Sequence, residues 1–164
     1  MNIRNYSLGF TVDASPEAVV AAIGNVRGWW SEGIEGSAMK TGDRFTHRVM
    51  DLHRCDIAVK EIVPGRRVVW TVLDNHFSFT KDPTEWKDTD IVFEIARVDG
   101  HTEVRFTHVG LVPEYECYAV CSDGWSTYID SLRELITTGT GQPNVGEAKT
   151  NSEQALARAA EGMS

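Results

Sequence analysis

The stretch Ile91-Val-Phe-Glu-Ile-Ala-Arg-Val-Asp-Gly-His-Thr-Glu-Val-Arg-Phe-Thr-His-Val109 decides the fold. Ile91, Phe93 and Ile95 share one face, and so do Val104, Phe106 and His108, which is the period of half-buried strands. Asp99-Gly100 between them is a two-residue hairpin turn. The same alternation extends toward the N-terminus. Phe45, His47 and Val49 face one way in an earlier strand, Cys55, Ile57 and Val59 in the next, and Pro64-Gly65 turns the chain into Arg67 to Leu73. Tyr6, Leu8, Phe10 and Val12 make a first strand. Asn75 to Lys87, polar with aromatic insertions, reads as a long loop or an irregular strand end. After Pro113 the period changes: Cys121, Trp125, Tyr128, Ile129, Leu132, Leu135 and Ile136 fall three and four apart, the stripe of one long helix from about Cys121 to Thr138.

Two shorter helical segments follow the first strand. Ser15 caps one of them, with Pro16 at its first position, where the missing N–H costs nothing. Gly24 ends it, and Asn25 to Ser31 forms a second short turn carrying Trp29 and Trp30. Gly33 to Gly42 is a polar connection. The expected architecture is α+β, with a curved antiparallel sheet wrapped around the C-terminal helix in residues 3 to 141. Residues 142 to 164 form a tail, either mobile or a docking arm or lid that inserts Leu156 into its own domain or a second copy. Asn151 to Ala160 is too short for a stable lone helix.

Composition restricts the function. The chain has 164 residues, 24 acidic against 16 Lys and Arg, and a formal charge of -8. Such a surface repels phosphate backbones and anionic headgroups, so neither nucleic acid nor membrane is an expected partner. No apolar run approaches the roughly 20 residues that span a bilayer, and Met1 to Tyr6 lacks a signal pattern. Three cysteines do not make a disulfide framework, which agrees with a cytoplasmic address.

The segments Val12 to Val19, Trp29-Trp30, Glu61 to Trp70, Thr102 to Leu111 and Gly124 to Leu132 together resemble the SRPBCC (START-like) superfamily. Within it, the chain is similar to the bacterial branch related to the C-terminal domain of the heat-shock-protein-90 ATPase activator. The resemblance implies a helix-grip fold with a cavity between sheet and helix, and activities from lipid carriage to polyketide cyclisation, so function must come from the site. The eukaryotic activator has a further N-terminal domain. A first strand beginning near Ile3 leads to the expectation that this chain has none.

Strand parity chooses the candidates. His47 and His108 occupy positions that parity assigns to apolar side chains, and either imidazole could orient a ligand or transfer a proton, or be a hydrogen-bonded core residue. Trp70, Phe106, Cys121, Trp125 and Tyr128 reach the same space as walls, or simply as core. Cys117 and Cys121 stand one helical turn apart near His108, but no recognisable spacing supplies further ligands, so no metal and no cofactor is expected. Asp82, Glu85, Asp88 and Asp90 read as a solvated surface. No phosphate loop, GxSxG elbow or HExxH occurs.

Three functional expectations follow. The first is a module binding a small, largely hydrophobic ligand through His47, Trp70, Phe106, His108, Cys121, Trp125 and Tyr128. The second is a cyclase- or hydrolase-like enzyme using a cavity histidine as acid or base. The third is a protein that contacts the chaperone by its surface. A homodimer is compatible with all three.

Overall fold

The computed structural model describes residues 5–50, 52–144, 154, 155 and 158. Its elements run β1 (Tyr6–Val12), α1 (Pro16–Gly24), α2 (Val26–Trp29), β2 (Glu35–Gly36), β3 (Arg44–Val49), β4 (His53–Val63), β5 (Arg67–Phe77), β6 (Asp90–Val98), β7 (His101–Val109) and α3 (Tyr118–Thr138). The strands form one seven-stranded sheet in the order β1-β7-β6-β5-β4-β3-β2, antiparallel throughout. This is the α+β helix-grip plan expected from the sequence.

Local chemistry accounts for the boundaries. The Ser15 side chain accepts from Ala18 N and Pro16 opens α1, as capping preferences require. Asp99 and Gly100 both have positive φ, 50° and 82°, the conformation of the tight turn that matches strand twist. Gly139 ends α3 at φ 86°. The short β2 lies inside the stretch read as a connection. It pairs Gly36 with Phe45, at a φ of +106° where a Cβ would collide with the Arg44 backbone. The long helix begins at Tyr118, three residues before the first member of the apolar stripe, and its first turn packs half-buried Tyr118 against Tyr6 at 6.1 Å.

One side of the sheet holds the core. Phe45, Ile57, Val59, Val68, Trp70, Val72, Ile91, Phe93, Val104 and Phe106 are buried there, and α3 lays Trp125, Tyr128, Ile129 and Leu132 against them. The register shifts between Asp56 and Ile57 and between Val59 and Glu61; bulges of this kind bend a sheet. Trp29, Trp30 and Trp70 stack on one another with centroids 5.9 to 6.3 Å apart, so the short helices are anchored by indoles. Past α3, Asn144 is fully buried and bridges to Ser31. Gln154, Ala155 and Arg158 are helical and exposed. The expected docking of Leu156 lies outside the described residues.

Candidate functional site

Near the ends of β3, β4 and β5 the sheet and α3 diverge and leave a cavity of about 50 Å³. Its walls come from three sources. His47 and Val49 stand on β3, His53 on β4 and Phe77 on β5. Val120, Cys121, Gly124, Trp125 and Tyr128 come from α3, while Trp30, Leu52, Phe79 and Trp86 come from connections. Phe79, Val120 and Gly124 are half-buried and form the outer part. Among the described residues, no Lys, Arg, Asp or Glu contributes to the lining.

The two histidines chosen from the sequence differ sharply. His108 is sealed. Its Nδ1 accepts from Trp125 Nε1 at 3.0 Å, and its Nε2 lies 2.8 Å from Thr89 Oγ1. Thr89 spends its single hydroxyl proton on the Trp86 carbonyl, so Nε2 must carry the imidazole proton and donate to Thr89. One neutral tautomer satisfies the whole chain. Burial pushes the His108 pKa down to about 3.

His47 is buried against Trp30, with ring centroids 4.4 Å apart and 29° between planes. Burial also lowers its pKa to about 3, yet its Nδ1 has no hydrogen-bond partner among the described residues. His53 packs edge-on to it at 5.7 Å. Burial first, then the neighbouring His47 and His108, holds its pKa well below the ordinary value. His53 Nε2 and Trp86 Nε1 are likewise buried without an ordinary hydrogen-bond partner among the described residues, although the Trp86 N–H faces the Cys121 sulfur and weakly offsets the rise of the thiol pKa.

The other expected positions divide in the same way. Cys121, Trp125 and Tyr128 line the cavity with His47, whereas Trp70 and Phe106 do not. Trp70 lies in the core between Phe45 and Phe93, both with centroids 5.1 Å away, and Phe106 backs Trp125 at 4.6 Å. The Cys121 thiol is pushed up by burial and then by the adjacent Cys117 thiol, which disfavours a nucleophilic thiolate. Buried Cys55 is pushed up by burial in the same direction.

Sequence reasoning missed His53, Phe77, Phe79 and Trp86 as walls. His53 was within reach of parity, two residues before Cys55 on the same face. Phe77 was not. β5 pairs Val72 with Ile57 but Asn75 with Cys55, so an extra residue reverses the alternation and turns Asn75 and Phe77 inward. Asn75 then holds the following loop: its Oδ1 accepts from Trp86 N at 3.1 Å and its Nδ2 donates to Pro83 O at 3.2 Å. The loop is also fixed to α3, because both Glu85 carboxylate oxygens accept backbone N–H groups, from Glu116 at 3.0 Å and Cys117 at 3.1 Å.

The family described as "Activator of Hsp90 ATPase homolog 1-like protein" matches residues 13–137. Among solved structures, the chain is 25% identical to the Aha1 of Colwellia psychrerythraea, whose solution structure is a dimer. That likeness has a TM-score of 0.67 and covers 85% of this chain and 100% of that one. MLL2253 from Mesorhizobium loti matches at 17% identity and a TM-score of 0.65, over 81% of this chain and 96% of that chain. CalU16 from Micromonospora echinospora matches at 14% and 0.59, over 82% and 77%. These two likenesses speak for fold alone. No curated protein matches the chain.

Proposed function

The chain belongs to the family of activator of Hsp90 ATPase homolog 1-like proteins, and from that premise we propose that it is a cytoplasmic protein holding a small, largely apolar molecule between β3–β5 and α3. One observation carries the reading. Of four buried side-chain polar atoms without a partner among the described residues, three belong to His47, His53 and Trp86, which line the same aromatic cavity. A buried polar atom left unpaired costs about 1–3 kcal/mol, so their convergence on one aromatic cavity supports a binding site with a few polar points. His47 is the polar contact in this reading, while His108 and Phe106 support the wall residues Trp86 and Trp125 from behind and Trp70 is core.

At about 50 Å³ the cavity is smaller than the roughly 150 Å³ that houses benzene in an engineered core. A ligand larger than a few atoms extends past Phe79 or displaces it. Native mass spectrometry of freshly purified protein, followed by a thermal-shift screen of apolar compounds, tests the proposal. A retained small mass or a saturable rise in Tm is expected; no retained mass and no stabilising compound would overturn it.

The enzymatic alternative requires a cavity histidine, and His47 meets that geometric condition. Its pKa near 3 makes it a weak base at neutral pH, which favours binding over proton transfer. The family relationship keeps a surface contact with the chaperone as a separate reading. A pull-down that recovers no complex, with an unchanged ATPase rate, disposes of it. The dimeric Colwellia relative makes a homodimer the expected assembly, readable from solution mass.

A further inference from the structure

The lining also narrows the class of molecule that fits, an inference that rests on the binding reading above. With no charged side chain lining the cavity among the described residues and both histidines held neutral by burial, an ion entering would lose its hydration and meet no countercharge from them. The occupant is therefore neutral. The unpartnered atoms add a second condition. Trp86 Nε1 can only donate, while a neutral imidazole nitrogen accepts when the other ring nitrogen carries the proton. A hydroxyl serves both with one atom; an ether or ketone only accepts, and a hydrocarbon does neither.

The walls add a third condition. Trp86 and Trp125 are stacked, with planes 6° apart and centroids at 5.6 Å, and the His53 ring meets Trp86 at 80° and 4.6 Å. Such surfaces receive a flat ring in offset or edge-on contact. The space of about 50 Å³ takes the polar end of the molecule, and the rest of the ring lies toward half-buried Phe79 and Gly124. We propose that the cavity binds a neutral phenol-type molecule, a single aromatic ring bearing a hydroxyl, with the hydroxyl between Trp86 and the His47–His53 pair.

Four probes of similar size test this: phenol, anisole, toluene and benzoate, titrated into the full chain at pH 7. Trp30, Trp86 and Trp125 line the cavity, so tryptophan emission reports occupancy. Phenol should bind saturably, about tenfold more tightly than toluene, with anisole between them and benzoate without saturable binding. In His47→Phe, which keeps a ring against Trp30, the preference for phenol over toluene should shrink severalfold. If that variant does not fold, the wild-type ranking alone decides. Toluene binding as tightly as phenol, or benzoate competing equally, overturns the hydroxyl assignment while leaving an apolar-ligand site. If none of the four saturates but a larger apolar molecule is retained in native mass spectrometry, the phenol class fails and the binding reading stands. With neither, both fail.

Discussion

His108 shows how completely a buried polar group can be determined by its neighbours. The run from Trp125 Nε1 through His108 and Thr89 to the Trp86 carbonyl leaves every proton one position, and each end of it is a cavity wall. Trp125→Phe keeps the packing but leaves His108 Nδ1 unpaired, so a loss of about 1–3 kcal/mol is expected in chemical denaturation. Thr89→Val removes the partner at the other nitrogen and should cost a similar amount. If both variants match the wild type, the chain contributes nothing to stability. The same burial fixes a pH dependence. His47 and His108 have pKa values near 3 when folded against about 6.5 unfolded, so between those limits the unfolded state binds more protons. Stability is then fully present above about pH 6.5 and falls as pH drops toward 3, by roughly 2 kcal/mol per histidine at pH 5. Denaturation midpoints from pH 7.5 to 5 should show this, with a shallower slope in His47→Phe; a flat profile would refute neutral burial.

Among the elements, β5 and the loop after it decide where the cavity lies. Glu85 reaches across to bond the N-cap residue of α3, Cys117, and the residue before it, where Cys117 makes no side-chain cap bond, and Glu116 accepts in return from Lys81 N at 3.0 Å. Removing a cap costs about 0.5–2 kcal/mol. Glu85→Ala should therefore lower stability by that amount and speed hydrogen exchange at the Glu116 and Cys117 amides, and ligand association should quicken as the Phe79–Trp86 wall loosens. Unchanged exchange at those two amides would mean the carboxylate holds nothing. None of this arrangement was readable from the sequence, because a carboxylate that caps a helix 31 residues away leaves no local pattern. Elements with uninterrupted period were readable. β3, β6 and β7 bury the residues that parity chose, and α3 buries its stripe from Cys121 to Leu132, with Leu135 and Ile136 half-buried at its end. Parity placed His47 and His108 on the inner face but could not separate them, since the difference lies in Thr89 and Trp125, brought to His108 only by folding. Where β5 gains a residue after Val72, the alternation that works from Trp70 to Val72 points to Asp74 and His76, and the true inward pair, Asn75 and Phe77, is lost to it.

On the scale of the whole molecule, the chain after α3 returns to bond two residues of the same cavity's walls. Gln142 N donates to Ser131 Oγ at 2.6 Å. Asn144 N then donates to the Trp30 carbonyl at 2.8 Å, and Glu32 N donates to the Asn144 carbonyl at 2.9 Å. The Asn144 side chain donates to Tyr128 Oη at 3.2 Å. One fully buried residue thus ties the end of α2 to the middle of α3, and Trp30 and Tyr128, the two side chains it links, are both cavity walls. Removing it should affect stability and site together, because a buried polar group that loses its partner is costly and Trp30 stacks directly on His47. Asn144→Ala is expected to lower stability by about 1–3 kcal/mol, a fall in Tm of several degrees for a domain of this size. A chain ended at Gly141 should lose at least as much. A chain ended at Gly146 keeps Asn144 and should retain most of the wild-type Tm, with solution mass reporting separately whether the residues beyond contribute to assembly. If the chains ended at 141 and 146 melt together, Asn144 is not a structural tie and Trp30 is held by its ring contacts with Trp29, Phe45, His47, Trp70 and Trp125.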